Sequence, residues 1–220
     1  MLLLAHRGYH AVETENTMAA FAAAAAQGVD GIETDVRLSR DGEALLIHDR
    51  VVGQGSARRP VAHLTRREAE QLAGHPIPTL AEALEGFPEL VWNIEIKTPD
   101  ALPEAVRVLK QYQGGVRLLV TSFRHDVVKR CAELLEVDCG ALLAHRPLDV
   151  APLIAEFREH KRVSTFVWDF NILDETLVWE ASAAGWGSYV YGAITPEEHA
   201  HCVQLELEGV ITDYPEQLRR

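Results

Sequence analysis

The chain has 220 residues, 47% hydrophobic and 25% charged, a composition ordinary for a globular protein. Lysine and arginine number 21 against 33 aspartates and glutamates, and the formal net charge of −12 argues against a nucleic-acid or anionic-membrane partner. Three cysteines, Cys131, Cys139 and Cys202, lack metal-site or redox spacing, so packed thiols in a reducing, cytoplasmic setting are expected.

In chain order, the opening MLLLAHRG is too short for a leader and lacks its basic flank, and Leu2–Ala5 is the first strand candidate. The alanine-rich segment near 16–27 predicts a tightly packed helix, with Asn16 as its N-cap and Gly28 as its stop. Its apolar run, Met18 to Ala26, is too short to span a bilayer, so no membrane insertion is expected. Gly31–Val36 is the second strand, and Asp41-Gly42 then marks a two-residue hairpin. Residues 49–89 interrupt the alternation with two short helices, Thr65–Ala73 and Thr79–Leu84, and are expected to form a small insertion at the rim.

Further strands follow at Leu90–Ile96, Val116–Thr121, Cys139–Ala144, Val163–Trp168, Ser188–Tyr191 and Gly209–Thr212. Helical stretches near 101–112, 125–136, 150–160, 174–184 and 196–206 separate them. Thr65, Thr79 and Thr195 each precede a glutamate by three residues, the capping-box pattern of a helix start. Strands alternating with helices predict a parallel sheet, and eight of them fit an α/β (β/α)8 TIM barrel spanning 1–220 as one catalytic domain. An open doubly wound sheet is the alternative, but no glycine-rich phosphate fingerprint follows the first strand.

Barrel enzymes carry their chemistry at the C-terminal ends of strands. Those positions hold His6 and Arg7 after strand one, Glu33 and Asp35 on strand two, and His48-Asp49 at the hairpin return. Strand three adds Glu95 and Lys97, and strand eight ends at Asp213. Residues two apart in a strand share a face, which pairs Glu33 with Asp35 and Glu95 with Lys97. Carboxylates converging on one mouth repel, and a divalent cation with oxygen ligands, Mg2+ or Ca2+, removes the repulsion. Pairing of each acid with a nearby arginine or lysine is the alternative. His6 and His48 beside these acids are candidates for an acid/base pair, and Arg7 and Lys97 for phosphate contacts. The remaining histidines, His10 and His199 among them, share no pattern with the acids and are expected to be surface or packing residues.

Together, AHRG, ENT, GIETDV followed by IHD, PTLAEAL, NIEIK, TSF and GVITDYP resemble the glycerophosphodiester phosphodiesterase family in order and spacing, from residue 3 to about 216. The resemblance implies a (β/α)8 barrel with a small insertion after strand two, and hydrolysis of a small-molecule phosphodiester to an alcohol and sn-glycerol 3-phosphate. It implies His6 and His48 as acid/base histidines, Glu33, Asp35 and Glu95 as metal ligands, and Arg7 and Lys97 as phosphate contacts. Three segments depart from the family pattern: Thr14 stands where proline precedes ENT, RVVGQGSARR follows HD, and Tyr191-Gly192-Ala193-Ile194 replaces a Trp-Thr-Val-Asn-like stretch. The last bears on the wall against the alcohol or glycerol, leaving metal and histidines untouched. Lysophospholipids or another phosphodiester, a phosphodiester-binding protein without catalysis, and an unrelated metal-dependent barrel lyase or isomerase are the competing readings.

Overall fold

A computed structural model describes residues 1–218. Eight parallel strands close on themselves: β1 (Leu2–His6), β2 (Gly31–Leu38), β3 (Val91–Ile96), β4 (Leu118–Ser122), β5 (Asp138–Leu143), β6 (Val163–Asp169), β7 (Gly187–Tyr191) and β8 (Gly209–Thr212). Each pairs with the next, and β1 pairs with both β2 and β8, so no parallel edge is left open. The eight expected strands all form, and no end is shifted by more than two residues.

Being covered on both faces, parallel strands are apolar almost throughout. All six residues of β3 are buried, as are the first six of β2. Inside the barrel Leu4, Val91, Leu142, Val167 and Ile211 pack together. Outside it, a larger core joins the strands to α1 (Met18–Ala26) and to the helices that follow. At Gly31 a Cβ would meet the Val91 carbonyl oxygen at 2.2 Å, so only glycine lets β2 and β3 come together there.

Between β2 and β3 the chain leaves the barrel. Ala44–Leu46 returns antiparallel to β2, but through a three-residue turn and not the expected two-residue one: Leu38 pairs with Ala44, Ser39 N donates to Glu43 O at 3.0 Å, and Gly42 takes the left-handed position at φ +86°. Helices α2 (Arg66–Ala73) and α3 (Leu80–Gly86) follow, and Leu45, Val52, Val61, Leu64, Ala69 and Ile77 form a small core of their own. After β3 come α4 (Leu102–Tyr112), α5 (His125–Leu134), α6 (Ala151–Glu156), α7 (Glu175–Ala183) and α8 (Pro196–Gln204). Thr65, Thr79 and Thr195 each make the full reciprocal capping box.

Two further local expectations change. The segment near 150–160 is helical only over α6, which buries none of its six residues; Val150 and Phe157 at its flanks are the buried anchors, so no apolar face extends it. The N-cap of α1 is Thr17, whose side chain accepts from Ala20 N, and not Asn16. Asn16 has φ +55° and turns its amide inward, toward the barrel mouth.

Candidate active site

Register between strands assembles the site. His6 on β1 lies opposite Glu33 on β2, which lies opposite Asn93 on β3; one layer further, Asp35 lies opposite Glu95. Neighbouring strands are about 4.8 Å apart and paired residues point the same way, so strand two's acids meet strand three's. One carboxylate oxygen from each of Glu33, Asp35 and Glu95 lies within 4.8 Å of the others. At 5%, 1% and 6% exposure these acids cannot be neutralised by bulk water.

Protein cations answer part of that charge. Lys97 Nζ stands 2.9 Å from Asp35 Oδ1 and 2.8 Å from Glu95 Oε2. Arg7 Nε lies 3.2 Å from Asp35 Oδ2, and its Nη1 donates to Glu15 at 2.9 Å. Asn16 Nδ2 donates to Asp35 Oδ2 at 2.9 Å, and Asn16 Oδ1 accepts from the Thr34 hydroxyl at 2.6 Å. In Glu15-Asn16-Thr17, therefore, the first residue anchors Arg7, the second Asp35, and the third caps α1.

These neighbours push the acids apart. Burial would raise the Asp35 carboxyl, but Lys97 and Arg7 overcome it and hold it below the ordinary carboxylate range. Burial, then Asp35 and Glu95, push Glu33 well above that range, and burial also raises Glu95. Lys97 is raised despite burial because Asp35 and Glu95 flank it. With two cations facing three acids, the cluster still favours added positive charge. Asp35 Oδ1, although beside Lys97, accepts no well-aligned hydrogen bond. The donor set, all carboxylate oxygen, suits a hard divalent cation.

His6, Arg7, Glu33, His48, Glu95 and Lys97 line one cavity of about 200 Å3, opposite an apolar wall of Phe123, Leu142, Tyr191 and Ile211. His48 follows the returning hairpin strand; its carbonyl accepts from Arg37 Nε at 2.8 Å, and its Nδ1 lies 3.0 Å from Asp49 Oδ1. Burial and then Lys97 lower its pKa, which favours a neutral imidazole. Tyr191, from the departing strand-seven segment, stacks edge-on against Phe123 at 6.0 Å. A larger cleft of about 690 Å3, lined by Met18, Arg66, Pro76 and Glu82, touches none of the three acids or either of these histidines.

The structure thus brings all seven expected site residues to one mouth, except that Asp35 lies just behind the cavity surface. His10 corrects the sequence expectation. It is not a detached surface residue: its Nε2 lies 2.8 Å from Asp213 Oδ1, the same oxygen that His6 Nδ1 reaches at 2.5 Å. Burial would raise the Asp213 carboxyl, but the hydrogen bonds from His6 and His10 pull it well below its ordinary value. No periodicity or strand parity marks a loop histidine, so only position 213 at a strand tip offered a signal.

The model of the glycerophosphoryl diester phosphodiesterase family matches residues 6–217, from the first site histidine to beyond Asp213. The chain belongs to this family. Phosphodiester hydrolysis is accordingly the enzyme's reaction, and glycerophosphodiesters are its substrate class. The enzyme is 31% identical over 99% of its length to a glycerophosphodiester phosphodiesterase of Caldanaerobacter subterraneus subsp. tengcongensis, covering 96% of that protein. It superposes on the Thermotoga maritima glycerophosphodiester phosphodiesterase with a TM-score of 0.83 at 26% identity, over 98% and 96% of the two chains. An Oleispira antarctica phosphodiesterase, solved with the product sn-glycerol-3-phosphate, gives a TM-score of 0.85 at 23% identity over 99% and 95%. Among the described residues no helix is long and apolar enough to cross a membrane.

Proposed function

We propose that the enzyme hydrolyses glycerophosphodiesters to an alcohol and sn-glycerol 3-phosphate in a cation-dependent reaction, with residues 1–220 working as one catalytic domain and 49–89 as its rim. One observation carries the reading: three buried carboxylates and His6 and His48 gather around a single cavity at the C-terminal end of the strands. The product named for the Oleispira antarctica phosphodiesterase supports the glycerol 3-phosphate half of the assignment.

Glu33, Asp35 and Glu95 would hold the divalent cation, Mg2+ or Ca2+, which would supply positive charge against the phosphate oxygens. Arg7 and Lys97 add donors to the same oxygens; each lines the cavity while anchored to a carboxylate, which limits the freedom lost on binding. His6 and His48 divide the proton transfers. One takes the proton from the attacking hydroxyl, and the other gives a proton to the departing alkoxide, a poor leaving group otherwise. The lowered His48 pKa keeps an imidazole able to accept a proton near neutral pH.

The test is release of glycerol 3-phosphate from glycerophosphocholine and glycerophosphoethanolamine, with chelator and after restoring Mg2+ or Ca2+. Release that stops on chelation and returns with one of the ions is expected. Release untouched by thorough chelation would remove the cation from the mechanism.

A further inference from the structure

We propose that Asp213 is a positioning residue for His6, and that His10 clamps it in place. This rests on the acid/base role of His6 proposed above, and it assigns work to two side chains outside that mechanism. Asp213 Oδ1 accepts from His6 Nδ1 at 2.5 Å and from His10 Nε2 at 2.8 Å, and the two rings stand edge to face at 6.1 Å. A carboxylate can only accept, so His6 carries its proton on Nδ1. The other ring nitrogen, Nε2, then faces the reaction side. It lies 3.7 Å from Glu33 Oε2, beyond hydrogen-bond reach, in a side chain that lines the cavity.

Local backbone brings His10 to this point. Arg7 and Gly8 both adopt left-handed conformations, φ +55° and +80°, and curl the chain directly after β1. His10 N donates to the Gly8 carbonyl at 3.0 Å and Tyr9 N to Ala20 O at 2.9 Å, closing the turn against α1. A Cβ on Gly8 would stand 2.7 Å from the Ala20 carbonyl carbon, so the tight return needs glycine. From the other side, Asp213 follows β8, whose last residue Thr212 is gripped by buried His199 at 2.7 Å. The carboxylate therefore sits between two fixed turns. His10 donates to the oxygen that His6 also uses, so the acceptor stays directed at His6.

The experiment is a mutant cycle on glycerophosphocholine hydrolysis joined to the imidazole spectrum. Asp213→Asn should lower kcat about 10²-fold with little change in KM, because an amide can present the wrong partner to Nδ1. In a His48→Ala background the same loss should recur; in a His6→Ala background it should shrink to less than about twofold, since the residue it serves is gone. His10→Phe should cost about fivefold, one hydrogen bond's worth, and His10→Gln, which keeps a donor at that place, should restore most of it. The long-range 1H–15N spectrum at about pH 8.5 should show His6 protonated on Nδ1, and Asp213→Ala should move that proton to Nε2. An Asp213→Asn loss as large without His6 as with it, or an unchanged His6 tautomer in Asp213→Ala, would overturn the inference. Full activity in His6→Ala would instead sink the acid/base reading on which it rests, while the tautomer measurement separately decides whether Asp213 holds the ring.

Discussion

Asp35 illustrates how a carboxylate stays ionised where water does not reach. It has Lys97 on one oxygen and Arg7 and Asn16 on the other, whereas Glu33, one strand step away, has no side-chain cation of its own within hydrogen-bond distance. Glu33 is thus the acid most relieved by an added cation, and the one whose loss relieves most repulsion. Glu33→Gln should leave the melting temperature in chelator unchanged or higher. It should also abolish the stabilisation by Mg2+ or Ca2+, which for an intact site at 100-fold excess over Kd amounts to about 2.7 kcal/mol. Calorimetry with and without the ion checks both; a large fall in chelator would show that Glu33 has a stabilising partner. For the histidines, His6→Ala and His48→Ala should each lower the rate by about 10²–10⁴-fold at unchanged fold, measured by initial rates and circular dichroism. A loss below tenfold in both would remove them from the proton-transfer roles.

Individual elements were legible wherever chemistry is local. The Thr-x-x-Glu starts of α2, α3 and α8 form as capping boxes because both partners lie within one turn. Thr65→Ala, at the start of α2 in the insertion and not among the residues lining the site cavity, should cost about 0.5–2 kcal/mol in urea unfolding while leaving kcat unchanged. Strand parity likewise placed Glu33 with Asp35 and Glu95 with Lys97 before any register was known. At Asn16 the local signal points to the wrong residue, for an equally local reason. Asparagine suits an N-cap, but the neighbouring Thr17 does so as well, and Asp35 on β2 competes for the asparagine amide. Only packing of the turn against β2 settles which residue caps. His10 carries no such signal, because a loop has no period to betray which way its side chains face.

At the scale of the whole molecule, closure is what gives the chain an interior. Cys131, Cys139 and Cys202 are all buried where the outer helices pack on the closed barrel, and burial pushes their thiols up, Cys131 to about 12 and Cys202 to about 11. The unfolded chain therefore loses these protons first. Their contribution to stability is complete below the ordinary thiol value of 9.0 and is lost as pH climbs from there toward 12. Unfolding midpoints should fall over that alkaline window, more steeply than in a Cys131→Ala, Cys139→Ala, Cys202→Ala variant. At pH 8 a thiol reagent should find all three groups only after denaturant is added; rapid labelling of the native protein would contradict their burial.

By itself the sequence determined the eight-strand alternation, the helix starts and the chemical types at strand ends, because propensity, capping and parity act within a few residues. Tertiary structure alone decided which strand ends meet and at what height. Pairing of β2 with β3 sets Asp35 opposite Glu95, and closure of β8 onto β1 sets Asp213 beside His6 across a separation of 207 residues. Those distances depend on register and closure, which follow from how the layers pack, and no short stretch of chain encodes them.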